Sequence, residues 1–293
     1  MSPTLNIIGC GRLGRTLARL WSDAGVFTIG DINDRTPEKS RAAVAFIGAG
    51  RACAQTADMR PADLWLLAPP DDRIRLCCEA LAGSGLLAAG NIVFHCSGAL
   101  SSQVLSAAAA RGALAASVHP LKTFADAGAA VLSFAGSFCA AEGEAAALSA
   151  LQPAFERIGA QLFALNAAAK TLYHAASVIM CNYLTALLET GARSFEAAGL
   201  PRNDAMRMVE PLVRQTLDNV FVLGPERALT GPIARGDVDV VRHQLEALTA
   251  LDARIAEVYR SLGVIAAQLA SAQGGAGPAA LAAIAAVLQS PRG

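Results

Sequence analysis

The polar residues of one largely apolar helical stretch could carry out proton chemistry. Lys170 and His174 are four residues apart on a predicted helix, so their side chains share a face. Ser177 continues that face, and Asn182 lies to one side of it. An ammonium or imidazole group there could polarise a carbonyl or imine and supply the proton that accompanies hydride transfer. The alternative is an ordinary helix start, with Lys170 in solvent and His174 hydrogen-bonded inside the protein.

A glycine pattern at the start of the chain could bind phosphate. Residues 9–14 read GCGRLG and lie between a strand-like apolar run and an amphipathic helix. Gly9 would allow a tight turn, Gly11 would let the backbone approach a pyrophosphate, and Gly14 would let the helix pack closely on its strand. The second strand that dinucleotide sites require follows. We therefore assign to a dinucleotide cofactor the residues Gly9, Cys10, Gly11, Arg12, Leu13, Gly14, Ala68 and Pro69.

The turn after the predicted second strand bears on the choice between NADP and NAD. Asn33, Arg35 and Thr36 resemble the Asn-Arg-Thr turn of NADP-linked enzymes with one residue inserted, so NADP is favoured. Asp31 and Asp34 keep NAD open, because an acidic side chain there binds the ribose hydroxyls of NAD. The alternative is a solvated turn that contacts no cofactor.

Two histidines end predicted strands. His119 closes one of them at the edge where parallel sheets form ligand clefts, so it is a candidate catalytic residue. A histidine next to Pro120 could equally fix the turn through its ring nitrogens. His95 is expected in the core, whereas the turn Ser97-Gly98 that follows it is expected to pass close to a nicotinamide ring.

A loop in the second half of the chain is a candidate substrate-binding segment. Thr230, Gly231 and Pro232 are small enough to let backbone and ligand approach each other. Arg235 could bind a substrate carboxylate or a cofactor phosphate, and Asp237 is placed as the N-cap of the next helix. The alternative is an elaborate helix cap in which Arg235 pairs with Asp237.

The order of elements predicts two domains. Strands and helices alternate in residues 1–165, which indicates an α/β Rossmann-like, NAD(P)-binding domain with a mainly parallel sheet and helices on both faces. Residues 166–293 show helical periodicity without convincing strands, which predicts an all-α domain. The longer predicted helices are 72–82, 166–199, 202–223 and 237–272. The pair Asp71-Asp72 is predicted to cap the first of them.

Composition excludes several function classes. The 293 residues carry no formal net charge, so neither a nucleic-acid-binding face nor a polybasic membrane segment is expected. No leader precedes the first strand and no uninterrupted apolar stretch of about 20 residues is evident, which favours a cytoplasmic protein. The motifs of serine hydrolases, phosphate-binding NTPases and metal sites are missing, so no metal is expected.

Five stretches together resemble proteins that join a Rossmann-like domain to a helical DUF2520-type domain. These proteins are a branch of the 6-phosphogluconate-dehydrogenase-like group, which also contains ketopantoate reductase and pyrroline-5-carboxylate reductase. In ketopantoate reductase and its relatives, a lysine and an asparagine on the equivalent helix assist catalysis, whereas here His174 holds the position nearer to Lys170. The matching stretches are 9–14, 95–98, 118–121, 170–176 with Asn182, and 229–237.

The resemblance implies an NADP-dependent reductase of a small oxo- or imino-acid, with 2-dehydropantoate as the first candidate. Lys170 or His174 would donate the proton, with His119 and Asn182 assisting. The predicted substrate-binding residues are Ser177, Thr230, Gly231, Pro232 and Arg235. Related helical domains pair, so a homodimer is expected. The alternative function is a dinucleotide-binding sensor or assembly protein that reduces nothing.

Overall fold

Short apolar runs form the strands of one sheet in the computed structural model, which describes residues 2–290. All but the two edge strands are buried along most of their length, as expected for strands covered on both sides. The strands are β1 (Thr4–Ile8), β2 (Thr28–Asn33), β3 (Arg51–Cys53), β4 (Leu64–Leu67), β5 (Ile92–His95), β6 (Leu114–Pro120), β7 (Phe138–Gly143) and β8 (Gln161–Ala164).

The sheet is mainly parallel, as predicted. Its strand order is β3-β2-β1-β4-β5-β6-β7-β8, and all pairs from β3 to β6 are parallel. β7 runs antiparallel to β6, and β8 is parallel to β7. The order reverses between β1 and β4, and at such a point a crevice opens beyond the carboxyl ends of the strands.

Helices cover both faces of this sheet. Because side chains alternate along β4, Leu66 lies in one core with Trp21 and Phe155, whereas Trp65 lies in a second core with Ile74. Trp21 and Phe155 come from helices on one side of the sheet, and Ile74 comes from a helix on the other. The helices up to residue 180 are α1 (Arg12–Asp23), α2 (Pro37–Ile47), α3 (Asp71–Gly83), α4 (Ser106–Ala109), α5 (Ala127–Leu132), α6 (Ala145–Arg157) and α7 (Lys170–Ser177).

The predicted capping of α3 by two aspartates was wrong. Pro70 is the N-cap residue, and no side chain makes a capping hydrogen bond. Asp71 and Asp72 instead lie in the first turn, where a negative charge still stabilises the helix dipole. The Asp71 carboxylate accepts a hydrogen bond from Ser97 Oγ at 2.8 Å, which ties the turn after β4 to the turn after β5.

The chain divides into two compact units after Met180. The strands end at Ala164, so the predicted boundary at 165 separates strands from helices but does not divide the compact units. The reason is α7, whose first residue, Lys170, bonds to Ser117 of β6 and therefore belongs to the first unit. A π-helical turn, Val178–Asn182, follows α7.

The second unit is helical. The predicted helix 237–272 is broken at Asp252, which has an extended backbone and caps the next helix by accepting a hydrogen bond from the Arg254 N–H at 2.8 Å. Residues including Ile233, Val241 and Ile284 form its core. Its helices are α8 (Tyr183–Ala197), α9 (Arg202–Leu223), α10 (Pro225–Ala228), α11 (Pro232–Arg235), α12 (Val238–Leu251), α13 (Ala253–Gln273) and α14 (Pro278–Gln289).

One helical run, Ala167–Ala197, meets the length and composition expected of a membrane span, with a mean hydropathy of 1.2. Lys170, His174 and Glu189 interrupt its apolar sequence. A single run of this kind is weak evidence for a membrane, although none of its apolar window is buried within the described structure.

Candidate active site

The turn between β1 and α1 requires glycine at its first position. Gly9 has a φ of 80°, and a Cβ there would lie 2.4 Å from the backbone nitrogen of Pro69. The Gly9 N–H donates to the carbonyl of Asn33 at 2.7 Å. A Cβ on Gly14 would lie 3.3 Å from the Gly9 carbonyl, so the start of α1 stays close to the strand ends. The turns after β1, β2 and β4 therefore meet at this point.

The N-terminus of α1 is open to a ligand. A Cβ built on Gly11, its N-cap residue, would meet no atom within 4 Å. No side chain caps the helix, and its first turn contains no acidic residue. The amide groups of a first helical turn have no partners within the helix and carry a partial positive charge, which favours an anion. This turn fits the pyrophosphate of a dinucleotide.

A cleft of about 980 Å³ runs along these strand ends. The predicted cofactor residues that line it are Gly9, Gly11, Arg12, Asn33, Arg35, Ala68 and Pro69. Its lining has more basic than acidic side chains, as an anionic ligand requires. The basic residues are Arg12, Arg15, Arg35, Lys39 and Arg73, and the acidic ones are Asp34 and Asp72.

Other predicted cofactor residues build the turns rather than line the cleft. The Cys10 thiol is buried, which raises its pKa to about 12, and its N–H donates to Asp34 Oδ2 at 3.0 Å. Leu13 packs against the core, and Thr36 caps α2 by accepting from the Lys39 N–H.

The part of the cleft formed after β3 was not predicted from the sequence. Ala54, Gln55 and Thr56 line it there, and Pro70 and Cys77 line it near α3. β3 has only three residues, too few for a periodic pattern. The useful signal was the βαβ topology itself, which places a third strand end beside the second.

Asp31 cannot bind a cofactor ribose, so one of the two residues taken as evidence for NAD was misread. Its side chain is fully buried, and its carboxylate forms ion pairs with Arg51 at 2.7 Å and Arg60 at 2.6 Å. Burial alone would raise its pKa, but the hydrogen bonds from both arginines outweigh burial and hold the pKa well below its usual value. Asp34 remains in the cleft.

Three polar residues form a row across one face of the sheet. His95 on β5 is in register with Ser117 on β6, which is in register with Glu142 on β7. Residues paired directly across strands face the same side of a sheet. Lys170 lies over this row, with its Nζ 2.5 Å from Ser117 Oγ and 3.5 Å from Glu142 Oε1.

Lys170 is buried, with only 1% of its surface exposed, so the alternative of a solvated lysine was wrong. Burial lowers the pKa of its ammonium, and the neighbouring Glu142 carboxylate opposes that shift. Glu142 is itself fixed by hydrogen bonds from the Ser102 N–H and Oγ, both at 2.7 Å. The ion pair of Lys170 and Glu142 therefore lies beneath the start of α7, where each charge is balanced by the other.

His95 supports the turn that follows β5. Its Nδ1 accepts a hydrogen bond from the Ser97 N–H at 3.1 Å, which leaves the ring proton on Nε2, 3.2 Å from the carbonyl of Ser101. Burial and the charge of Lys170 lower its pKa to about 4. His95 is therefore a neutral core residue, the role expected of it.

A second polar cluster lies beside this row. The His119 Nδ1 is 3.0 Å from the hydroxyl of Tyr173, and the rings of His119 and His174 meet edge to face at 5.7 Å. Burial, with the neighbouring His174 and Lys170, lowers the pKa of His119 to about 4. Burial raises the pKa of Tyr173. All of these residues belong to the first compact unit.

The turn Ser97-Gly98 packs directly on this cluster. A Cβ on Gly98 would lie 2.4 Å from His174 Nδ1 and 2.8 Å from His119 Nε2, so only glycine fits there. Ser97 Oγ accepts hydrogen bonds from the N–H groups of Ala99 and Leu100, which fixes the turn. Sequence analysis gave no role to Tyr173, although its spacing of three residues from Lys170 places both on one helix face.

The remaining predicted residues form no hydrogen bond with the side chains of this cluster among the described residues. Ser177 Oγ donates to the Tyr173 carbonyl at 3.1 Å, and Asn182 ends the π-helical turn and falls in the second unit. In that unit Arg235 pairs with Asp237 at 2.8 Å. Asp237 is the N-cap residue of α12, as predicted, although its side chain makes no capping hydrogen bond.

The loop before Arg235 is short and turned by glycine. Gly231 has a φ of 93°, and Pro232 begins α11 directly after it, with Thr230 preceding the turn. The side chain of Arg235 is 64% exposed although it is paired.

Solved structures share this fold over nearly the whole chain. Protein TM1727 from Thermotoga maritima is 24% identical over 92% of this chain and 99% of its own, with a TM-score of 0.71. A candidate NADP oxidoreductase, BF3122 from Bacteroides fragilis, is 19% identical over 92% and 98%, with a TM-score of 0.76. An imine reductase from Myxococcus stipitatus in complex with NADP+ is 17% identical over 96% and 99%, with a TM-score of 0.65. At these identities the likeness establishes the fold alone.

Sequence comparison identifies both domains. Residues 3–120 match the Rossmann-like domain, and residues 137–265 match the domain of unknown function DUF2520. No curated protein matches the chain significantly. The protein thus joins a Rossmann-like domain to a DUF2520 domain, as the resemblance of its motifs predicted.

Proposed function

We propose that this protein is a reductase that uses NADPH to reduce a small oxo- or imino-acid. The observation that carries the proposal is the open N-terminus of α1 at Gly11, in a basic cleft at the edge where the parallel strands end. The cluster of His119, Tyr173 and His174 lies at the end of β6 on that same edge. A site for an anionic cofactor and a site for proton chemistry therefore share one edge of the sheet.

The cofactor would lie along the strand ends. The first turn of α1 would hold its pyrophosphate, and the turn Ser97-Gly98 would border its nicotinamide ring. Bound there, the cofactor supplies a hydride. Arg35 and Lys39 line the cleft after β2, where a 2′-phosphate would lie, and this supports NADP. Asp34 also lines the cleft, and it is the residue that leaves NAD as the alternative cofactor.

The substrate class rests on resemblance and on chemistry. Several similar structures are imine reductases, which supports an imine or carbonyl group as the electrophile. 2-Dehydropantoate remains the first single candidate from the family resemblance. Thr230, Gly231, Pro232 and Arg235 remain predicted substrate-binding residues, with Arg235 as the group for a carboxylate.

The test is consumption of NADPH with a panel of 2-oxo acids, including 2-dehydropantoate, and cyclic imines. Turnover of at least one panel member is expected, and it should fall in Lys170→Ala and His174→Ala. Tight NADPH binding with no turnover of any member would favour the alternative, a dinucleotide-binding sensor. A sensor has no need of a phenol and two imidazoles beside the strand ends.

The proposal includes a homodimer formed by the helical domain. Two of its helices expose large apolar side chains, which a second copy of the same chain would cover through a symmetric interface. Sedimentation should give a dimer, and a monomer would contradict this part of the proposal. Binding to phospholipid vesicles instead would assign the same surface to a membrane. The exposed residues on α8 and α9 are Tyr183, Leu187, Phe195, Met206, Met208, Leu212, Phe221, Val222 and Leu223.

A further inference from the structure

We propose that Tyr173 donates the proton that completes reduction, with His119 as the residue that positions its hydroxyl and returns the proton. Lys170 then acts by positioning α7. This inference rests on the proposed reductase function and names a residue to which the motif comparison gave no role.

The fold brings Tyr173 to the end of β6. Ser117 and His119 are two residues apart on β6, so their side chains lie on the same face of the sheet. Lys170 bonds to Ser117, which fixes the first turn of α7 over that face. Tyr173, one turn later, then meets His119, with its hydroxyl 3.0 Å from Nδ1. The ring of Phe163 on β8 supports the tyrosine ring at 6.3 Å.

The geometry disfavours the two other donors. The Lys170 ammonium is enclosed and already contacts Ser117 and Glu142, so it cannot reach a substrate without breaking a buried ion pair. The Nδ1 of His174 is buried against Gly98, with no hydrogen-bond partner among the described residues. Tyr173 is half-buried, as are His119 and His174, and it carries the hydroxyl of this cluster.

The charges around Tyr173 suit a neutral acid. The groups facing it and His119 are His174, Lys170 and the Cys139 thiol. Burial, His174 and Lys170 lower the pKa of His119 to about 4, so its imidazole is neutral near pH 7. Burial raises the pKa of Tyr173, so its phenol keeps its proton until a stronger base forms. A developing alkoxide on the substrate is such a base.

The proton inventory balances. When the carbonyl carbon accepts a hydride, the π electrons of the C=O bond move to oxygen, which takes the proton of Tyr173. The phenolate regains a proton from His119 Nδ1–H, while His119 Nε2 takes one from water. Each turnover consumes one hydride and one solvent proton. The imidazole gains no net charge, and it returns to the Nδ1–H tautomer by proton exchange with water before the next turnover.

The decisive variant is Tyr173→Phe, which removes only the hydroxyl. We expect kcat to fall by about 10²- to 10⁴-fold, the usual contribution of a general acid, with the Kd for NADPH and the KM nearly unchanged. In the wild type, activity should decline at alkaline pH as Tyr173 ionises, and the variant's residual activity should lack that decline. Tyr259→Phe is the matched control, because it also removes a hydrogen-bonded phenol, which donates to Gln244 at 2.7 Å. It should retain the wild-type kcat.

A readout independent of turnover is the ¹⁵N spectrum of the histidine rings. Tyr173→Phe should shift the His119 Nδ1 resonance and leave His95 unchanged, because the phenol contacts His119 Nδ1, whereas His95 Nδ1 accepts from the Ser97 N–H. Wild-type kcat in Tyr173→Phe, or an unchanged His119 resonance, would overturn this inference and leave the reductase function intact. No turnover by the wild type with any panel member, despite bound NADPH, would overturn both.

Discussion

Replacing Lys170 by methionine tests whether the buried ion pair holds α7 on the sheet. Methionine is of similar length but has no charge, so Glu142 would remain buried with its hydrogen bonds from Ser102 and without its cation. Breaking a buried pair by removing one partner costs about 3–5 kcal/mol. The free energy of unfolding of Lys170→Met should therefore fall by about that amount.

The double variant Lys170→Met with Glu142→Gln separates charge from packing. It removes both charges, so it should recover at least half of the loss, because no uncompensated carboxylate remains. Lys122→Met is the control. Lys122 is an exposed lysine that donates to the carbonyl and hydroxyl of Ser133, and its loss should cost less than about 0.5 kcal/mol.

The assay is urea unfolding near pH 7, followed by the fluorescence of Trp21 and Trp65, which are both buried in the first unit. A Lys170→Met variant whose free energy of unfolding lies within about 1 kcal/mol of wild type would refute the reasoning, because removing one partner of a buried ion pair costs more than that. A double variant no more stable than Lys170→Met would also refute it.

Further predictions concern the cofactor turn, the cluster and pH. Gly11→Ala should unfold like wild type, because its Cβ meets no atom within 4 Å, yet NADPH affinity by calorimetry should fall more than about tenfold, which is about 1.4 kcal/mol. Gly98→Ala should lower the free energy of unfolding by about 1–3 kcal/mol on denaturant unfolding, because its Cβ would clash with two imidazoles. Arg35→Ala should reduce the preference for NADPH over NADH by about 10- to 100-fold in binding titrations, and unchanged discrimination would rule out its phosphate contact. Folding lowers the pKa of His95 to about 4 from 6.5, so the contribution of its neutral ring to stability is complete above pH 6.5. That contribution is lost as pH falls to 4, which should lower the free energy of unfolding by about 3 kcal/mol. Curves of stability against pH for His95→Asn should therefore be flatter over that range.

Features local in sequence could be predicted, and features set by strand register could not. The turn from Gly9 to Gly14 was recognisable because its strand, glycines and helix are adjacent in the chain. The contact of Lys170 with Ser117 and Glu142 joins residues far apart in sequence, and it exists only because β6 and β7 pair in one particular register.

The direction of a side chain was the other limit. Asp31 and Asp34 looked equivalent in the sequence, but Asp31 lies within β2 and points to Arg51 and Arg60, whereas Asp34 follows the strand and faces the cleft. Tyr173 escaped notice for a similar reason. Its hydroxyl contacts the imidazole of His119, on a strand that ends more than fifty residues earlier in the chain. The residues around Tyr173 in the sequence give no sign of that contact.

The most direct test of the central claim is hydride transfer itself. NADPH that carries deuterium at the transferable nicotinamide position is incubated with the protein and the best substrate of the panel, and the product is analysed by mass spectrometry. The account predicts a product with a single deuterium on the former carbonyl or imine carbon, formed in equal amount to NADP+. Bound NADPH that is never oxidised, or a product without deuterium, would contradict it.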